Sequence, residues 1–382
     1  MKVPLLDLKP QYQTIKNAIT PAIDEVIQSQ SFILGPKVEK LEQEIAAYCG
    51  AAHAVGVNSG SDALLLAMMA LDVRPGDKII TTPYTFFATV GSICRLQATP
   101  LFVDIDPVTY TMDPEKLKQL ILSLSEDEKR SVKAVIPVHL YGQCADMEKI
   151  LDLTQKHDIP VIEDAAQALG ASCIINGQEK KSCAAGDFGC LSFFPSKNLG
   201  GFGDGGMITA KDGTAAKKLK SLRMHGMGET YFHRYIGMNG RLDALQAAVL
   251  LIKLPYLDTW AKKRAQNAAA YRTLFEELGL LEHISPPQIK GDVRHVFNQF
   301  VIRAKDRDNL KVHLSNHDIG CAIYYPLSLH LQKCFSFLGY QAGDFPESEK
   351  ASKESLALPV FPELKKTQLE YVAQQIKNFY KG

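Results

Sequence analysis

The feature that most restricts what this chain can fold into is a regular alternation across its first two-thirds. Short apolar segments at residues 54–57, 78–81, 100–103, 134–138, 160–163, 189–193 and 206–209 are separated by stretches of helical pattern, such as 63–69 and 147–157. Uninterrupted apolar strands bury both faces, and helices between them cover those faces, so the pattern predicts a mostly parallel central sheet flanked by helices. The pattern changes near residue 241. Leu245, Val249 and Ile252 recur at helical spacing, and the helical run continues past Pro255 towards Leu280. A connector at 282–293, a strand at 297–302, a helix, Tyr324-Tyr325-Pro326 and a last helix at 366–380 follow. A chain of 382 residues exceeds a single hydrophobic core. The expectation is an α/β large domain over residues 1–250 and a smaller α+β domain over 251–382.

Composition narrows the partners. A formal net charge of +1 gives no general attraction to nucleic acid or to an anionic membrane surface. The eight cysteines are dispersed, without a C-x-x-C pair, which fits neither a disulfide framework nor a zinc site and agrees with a reducing cytoplasm. The start, Met1-Lys2-Val3-Pro4-Leu5-Leu6-Asp7, loses its apolar character too soon for a signal peptide. No apolar run approaches the ~20 residues that a bilayer span requires. A cytoplasmic protein without membrane or nucleic-acid partners is expected.

The residues able to do chemistry sit where strands end. Ser192-Phe193-Phe194-Pro195-Ser196-Lys197 places a lysine after an apolar segment and before Gly200 and Gly201. Upstream, another segment ends in Glu163-Asp164-Ala165-Ala166-Gln167. A lysine and a carboxylate beyond the carboxyl ends of two sheet strands suit pyridoxal phosphate (PLP). The amine would hold the aldehyde as a Schiff base and the carboxylate would keep the ring nitrogen protonated. Each residue also has a plainer reading. Lys197 could be a solvated surface lysine, and Asp164 could cap a helix at a strand-to-helix turn. Gln167, three residues on, would share a helical face with Asp164 and either meet the ring hydroxyl or face solvent. Asn58-Ser59-Gly60-Ser61-Asp62 leads from a strand into a helix, whose first N–H groups and the Ser61 hydroxyl form either a phosphate cradle or an ordinary cap. Ser192 could add a hydroxyl, and Phe86 could stack on the ring or belong to the core. His313 and His317 lie four apart without a third ligand and read as surface histidines; no metal site is expected. There is no Walker loop and no G-x-S-x-G.

Taken in order, the motifs resemble the DegT/DnrJ/EryC1/StrS sugar aminotransferases, within fold type I of the PLP enzymes. They are Pro4-Leu5-Leu6-Asp7-Leu8, Phe32-Ile33-Leu34-Gly35-Pro36, Asn58-Ser59-Gly60-Ser61-Asp62-Ala63-Leu64 and Pro83-Tyr84-Thr85-Phe86. His139-Leu140-Tyr141-Gly142, Glu163-Asp164-Ala165-Ala166-Gln167, the segment ending in Lys197, and Asn239-Gly240-Arg241-Leu242-Asp243 complete the series. The resemblance implies Lys197 as the Schiff-base lysine and Asp164 as the partner of the ring nitrogen. Gln167 would meet the ring hydroxyl, and Phe86 would stack on the ring. Gly60, Ser61, Asp62 and Ser192 would hold the phosphate, and Asn239 would reach the phosphate in a neighbouring subunit, making the enzyme a homodimer. It also implies a ping-pong reaction, cycling through pyridoxamine phosphate (PMP), that moves an amino group from L-glutamate to a keto-sugar nucleotide. The segment from Tyr325 to Gln332, with Arg241-Leu242-Asp243, looks closer to members that aminate a 3-keto than a 4-keto sugar.

Two other readings start from the same residues. One is an aminotransferase for simple amino and keto acids; against it, no arginine follows Arg307 to grip a carboxylate in the C-terminal region. The other is a non-catalytic regulatory protein on this scaffold. Against that stands the joint presence of Lys197, Asp164 and the candidate phosphate cradle.

Overall fold

A computed structural model describes residues 1–291 and 293–381. The strands expected from the alternation form one central sheet. In chain order they are β1 (His53–Val57), β2 (Lys78–Thr81), β3 (Thr99–Phe102), β4 (Val132–Val135), β5 (Ile162–Asp164), β6 (Phe188–Ser192) and β7 (Gly206–Ala210). Continuous pairing gives β1-β7-β6-β5 and β3-β2-β4. Parallel bridges from Val135 to Val161 and from Val138 to Asp164 join the two sets, so the order across the sheet is β1-β7-β6-β5-β4-β2-β3. Every neighbouring pair is parallel except those made by β7, which runs antiparallel to both β1 and β6. The reason is the connection. No helix separates β6 from β7, and a strand that returns without a crossover must come back antiparallel, here with Ser192 opposite Gly206.

Helices α1 (Lys9–Ser29), α2 (Pro36–Cys49), α3 (Gly60–Ala70) and α4 (Phe87–Arg95) precede or interleave with the first strands. One core cluster, with Leu41, Ile45, Phe193 and Leu250, and another, with Leu64, Leu66, Ile93 and Leu219, draw on the sheet and on these and later helices. All of β7 is buried. Complete burial of a side chain such as Phe193 contributes about 1.5–3 kcal/mol, so this packing fixes the ends of β5 and β6 firmly.

The second unit holds an antiparallel sheet of β8 (Ile284–Ser285), β9 (Phe300–Ala304) and β10 (Ser355–Leu358), with β9 in the middle. The helical run past residue 242 is two helices, Ala244–Lys253 and Leu257–Glu277, separated by a short 3-10 turn containing Pro255. Proline lacks the N–H that a continuous helix would need there. The second of these helices belongs to both units: Leu257 and Ala261 enter a large-domain core, and Tyr271 and Phe275 enter the small-domain core. The chain start crosses the division drawn at 250/251. Val3 forms a parallel bridge with Ile319 and is buried in the small-domain core, so these first residues pack with the smaller unit.

Among the described residues no helix is long and apolar enough to cross a membrane. All eight cysteines are free.

Candidate active site

β5 ends in Asp164 and β6 in Ser192, side by side in the middle of the sheet. The Asp164 carboxylate is buried and held at both oxygens. Thr89 Oγ1, on α4, donates to Oδ2 at 2.8 Å, and the Ala166 N–H donates to Oδ1 at 3.2 Å. The expected helix after Asp164 does not form. Residues 165–170 make turns, so Asp164 caps no helix and shares no helical face with Gln167. The turns instead bury Gln167 and occupy both ends of its amide. The Tyr141 N–H donates to Oε1 at 2.7 Å, and Nε2 donates to the Tyr325 hydroxyl at 2.9 Å. Tyr141 adopts a left-handed backbone, with φ at 60°, a conformation uncommon for a tyrosine and held here by surrounding contacts.

Lys197 is carried by the loop between β6 and β7. Its N–H donates to the Phe194 carbonyl at 2.9 Å, and the Gly201 N–H donates to the Phe193 carbonyl at 2.7 Å, closing a tight turn. A Cβ on Gly200 would lie 2.3 Å from the Pro195 carbonyl oxygen, so glycine is required at that point. The buried amine of Lys253 donates to the Gly200 carbonyl from beneath. Burial lowers the Lys197 amine to about 8, and the negative charge of Asp164 opposes that shift. Burial raises Asp164 from its ordinary value, against the Thr89 and Ala166 hydrogen bonds and the charge of Lys197. Each group therefore acts on the other, the Asp164 charge holding the amine up and the Lys197 charge holding the carboxyl down.

α3 begins where β1 ends. Ser59 caps it, its Oγ accepting the Asp62 N–H at 3.1 Å. A Cβ on Gly60 would sit 2.8 Å from Ser192 Cβ, so only glycine lets the α3 N-terminus approach Ser192 this closely. The free N–H groups of that first turn and the hydroxyls of Ser61 and Ser192 are donors of the kind that bind an anion.

These parts line one cavity of about 470 Å³. Gly60, Ser61, Phe86, Asp164, Gln167, Ser192 and Lys197 all face it. Phe86 is 60% exposed, which excludes the core reading. Asp62 and Asn239 are not on its wall. Asn239 is exposed and follows a segment, residues 227–236, whose Tyr231, Phe232 and Ile236 are also exposed.

Two features of the wall escaped the sequence reading. Tyr325, from the small domain, reaches Gln167; the sequence offered the segment from Tyr325 to Gln332 only as a sign of which sugar is aminated, not as a contact of Gln167. His139, which the sequence offered only as the first residue of the His139-Leu140-Tyr141-Gly142 motif, is fully buried beside Asp164. Its Nδ1 accepts the Ala145 N–H at 3.1 Å, so Nε2 carries the proton and donates to Glu163 at 2.8 Å. Glu163 also accepts N–H groups from Cys183, Ala185 and Gly186. Burial alone would raise this carboxylate; the hydrogen bonds from His139 and the backbone outweigh it and hold the group low. His313 and His317 are half-buried, not on the open surface, with ring centroids 4.3 Å apart. Among the described residues no group of His, Cys, Asp and Glu could hold a metal ion.

The sequence model of one family matches residues 13–377. The chain belongs to the DegT/DnrJ/EryC1/StrS aminotransferase family. It is 48% identical to a pleiotropic regulatory protein of Geobacillus stearothermophilus, over 100% of this chain and 99% of that one. It is 41% identical to the UDP-N-acetyl-3-dehydro-alpha-D-glucosamine 3-aminotransferase of Acidithiobacillus ferrooxidans, over 100% of this chain and 98% of that one. The crystal structure of Streptomyces venezuelae DesV in complex with a ketimine intermediate superposes with a TM-score of 0.93, at 36% identity, covering 100% of this chain and 99% of that one. The fold is thus fold type I of the PLP enzymes.

The cavity fits PLP on its own chemistry. The Gly60–Ser192 approach leaves N–H and hydroxyl donors free for a phosphate, Lys197 offers an amine of lowered basicity, and Asp164 offers a buried carboxylate that lacks a nearby fixed cation other than Lys197.

Proposed function

We propose that this protein is a PLP-dependent aminotransferase that takes an amino group from L-glutamate and delivers it to a nucleotide-linked 3-keto sugar. The observation that carries the reading is the meeting of Lys197 and Asp164 in one cavity, with the amine lowered to about 8. The 3-keto choice rests on the relative named as a 3-aminotransferase, full-length at 41% identity.

Bound PLP supplies the electron sink that lets a proton leave the donor's Cα. The chain supplies the rest. The α3 N-terminus, Ser61 and Ser192 bind the phosphate through N–H and hydroxyl donors. Phe86 covers one face of the ring and excludes water there. Asp164 would hold a proton on the ring nitrogen, and its buried carboxylate would gain a counter-charge there. Lys197 binds the cofactor and, once displaced by the donor, is basic enough at about 8 to take up a proton and weak enough to return it. Asn239 and the exposed apolar segment before it serve a neighbouring copy of the chain, making a homodimer, and the enzyme works in the cytoplasm.

A second reading has a specific basis, the name of the Geobacillus relative. A purely regulatory protein has no need of Lys197, Asp164 and a glycine-shaped anion site assembled in one cavity, which favours the enzyme.

The test has two stages. Purified protein is mixed with PLP and its visible spectrum recorded before and after L-glutamate. A band that forms and then bleaches supports the donor half-reaction; no band in the wild type defeats the proposal and leaves the regulatory reading ahead. The PMP-loaded protein is next offered 3-keto and 4-keto sugar nucleotides and 2-oxo acids. Return of the band with the 3-keto compound alone is expected, and turnover confined to 2-oxo acids would reassign the enzyme to amino-acid metabolism.

A further inference from the structure

The amide of Gln167 has an orientation that the structure determines. The backbone N–H of Tyr141 can only donate, so the atom it meets at 2.7 Å is Oε1. Nε2 then faces the Tyr325 hydroxyl at 2.9 Å and donates one of its two protons there. One N–H of Gln167 remains, on a side chain that lines the cavity. Both anchors of the amide belong to structures that the two domains share. Tyr141 lies in the turn after β4, and its carbonyl accepts the Gln299 N–H from the segment entering β9. Tyr325 follows Ala322, which exchanges hydrogen bonds with Ala357 of β10. The two rings stack, with centroids 6.0 Å apart, and Tyr84 meets Tyr325 edge-on. The Tyr84 hydroxyl lies 2.8 Å from that of Tyr141 and 2.7 Å from Ser355 Oγ of β10. A turn of residues from the large domain is thereby clamped against small-domain backbone at several points.

We propose that Tyr325 is a positioning residue: by accepting one Nε2 proton of Gln167 it directs the other to the ring hydroxyl of the cofactor, so small-domain packing tunes the proton balance of the ring. The inference rests on the reading above, in which PLP fills the cavity with Gln167 beside that hydroxyl. Tyr325 is suited to this part. Burial drives its phenol well above the ordinary range, so it stays a neutral acceptor through the working pH range. Without it the Gln167 amide would keep only the Tyr141 anchor and swing about that contact. A hydrogen bond from Gln167 spreads the negative charge on the ring oxygen; without it that oxygen is more negative and the neighbouring proton is held more tightly.

The experiment is a pH titration of the visible band of PLP-loaded wild type, Tyr325→Phe, Gln167→Leu and the double variant. Thermal unfolding of each apoprotein is measured in parallel. Phenylalanine keeps the ring stack and removes only the hydroxyl. Gln167→Leu is expected to raise the titration midpoint by about one pH unit, and Tyr325→Phe by about half a unit in the same direction, with no further rise in the double variant. A merely structural role would lower the unfolding temperature and leave the midpoint in place. The proposal is overturned if Tyr325→Phe titrates like the wild type, or if the two shifts add in full. Either of those results leaves the aminotransferase reading intact when the wild-type band still bleaches with L-glutamate; a wild type that forms no band overturns both.

Discussion

Thr89 Oγ1 donates to Asp164 Oδ2 at 2.8 Å, joining the first turn of one helix to the end of the central strand that carries the site's carboxylate. Thr85 in turn lies 3.1 Å from the Thr89 hydroxyl. The bond matters because burial pushes the Asp164 proton affinity up, and Thr89 is the foremost group pulling it back. Replacing Thr89 with Val keeps the shape and removes the donor. A hydrogen bond to a charged group contributes about 1.5 kcal/mol or more, so PLP affinity should fall about tenfold. Spectroscopic titration with PLP measures this, and unchanged affinity would show that Asp164 needs no such support.

The lowered basicity of Lys197 sets a pH dependence. Only the unprotonated amine attacks an aldehyde. Below about pH 8 the folded-state amine is mostly ammonium, and above it mostly free. The rate at which the apoprotein captures PLP should therefore rise with pH through a midpoint near 8, well below the ordinary lysine value of 10.5. Stopped-flow absorbance reads the profile directly. Lys197→Ala should form no such band at any pH; a band in that variant would move the attachment to another lysine.

The close approach of Gly60 to Ser192 predicts a selective defect. A methyl group at residue 60 would stand 2.8 Å from Ser192 Cβ and force α3 away from β6. Gly60→Ala should weaken PLP binding at least several-fold, since a shifted helix start aligns fewer donors on the phosphate. Pyridoxal, which lacks the phosphate, should bind the variant and the wild type alike. Equal losses for both ligands would indicate general damage and remove the phosphate assignment.

Glu163 tests the frame behind the site. Its oxygens accept three backbone N–H groups as well as His139. Glutamine can offer one oxygen, so Glu163→Gln leaves at least one pair of buried donors facing an NH₂ group, at a cost of about 1–3 kcal/mol. The sign with pH follows from the lowered folded-state value. The carboxylate's contribution is complete above its ordinary 4.5 and is lost as pH falls through the folded value. Denaturant midpoints at neutral and acid pH should show the variant less stable at neutral pH, with a gap that narrows on acidification. A gap that is constant with pH would mean the lost stability has another source.

Much of the fold was legible because its signals are local. Each central strand is a short apolar run closed by turn residues, and each helix carries its own periodicity, so residues 54–57 through 206–209 could be marked without knowing what they would meet. The antiparallel direction of β7 was not read from the sequence and came only with its pairing to β1 and β6. The failure after Asp164 is instructive: Ala165-Ala166-Gln167 has helical propensity, yet the loop to the small domain's Tyr325 and to Tyr141 offered the Gln167 amide better partners than a helix would. Phe86 shows the opposite limit. Its type favours the core, and only the position of α4 at the cavity's edge leaves it exposed.

The sequence by itself determined the central strands, most of the helices between them, and the lysine and aspartate at two strand ends. Those depend on neighbours within a few residues, or on a residue type that only one chemistry needs. Tertiary structure alone decided that Lys197 and Asp164 act on each other, that Thr89 and Ala166 hold the carboxylate, and that Tyr325 reaches Gln167 from the other domain. Burial and long-range contact set those properties, and neither charge strength nor hydrogen-bond partner exists until distant segments have packed together and shut out water.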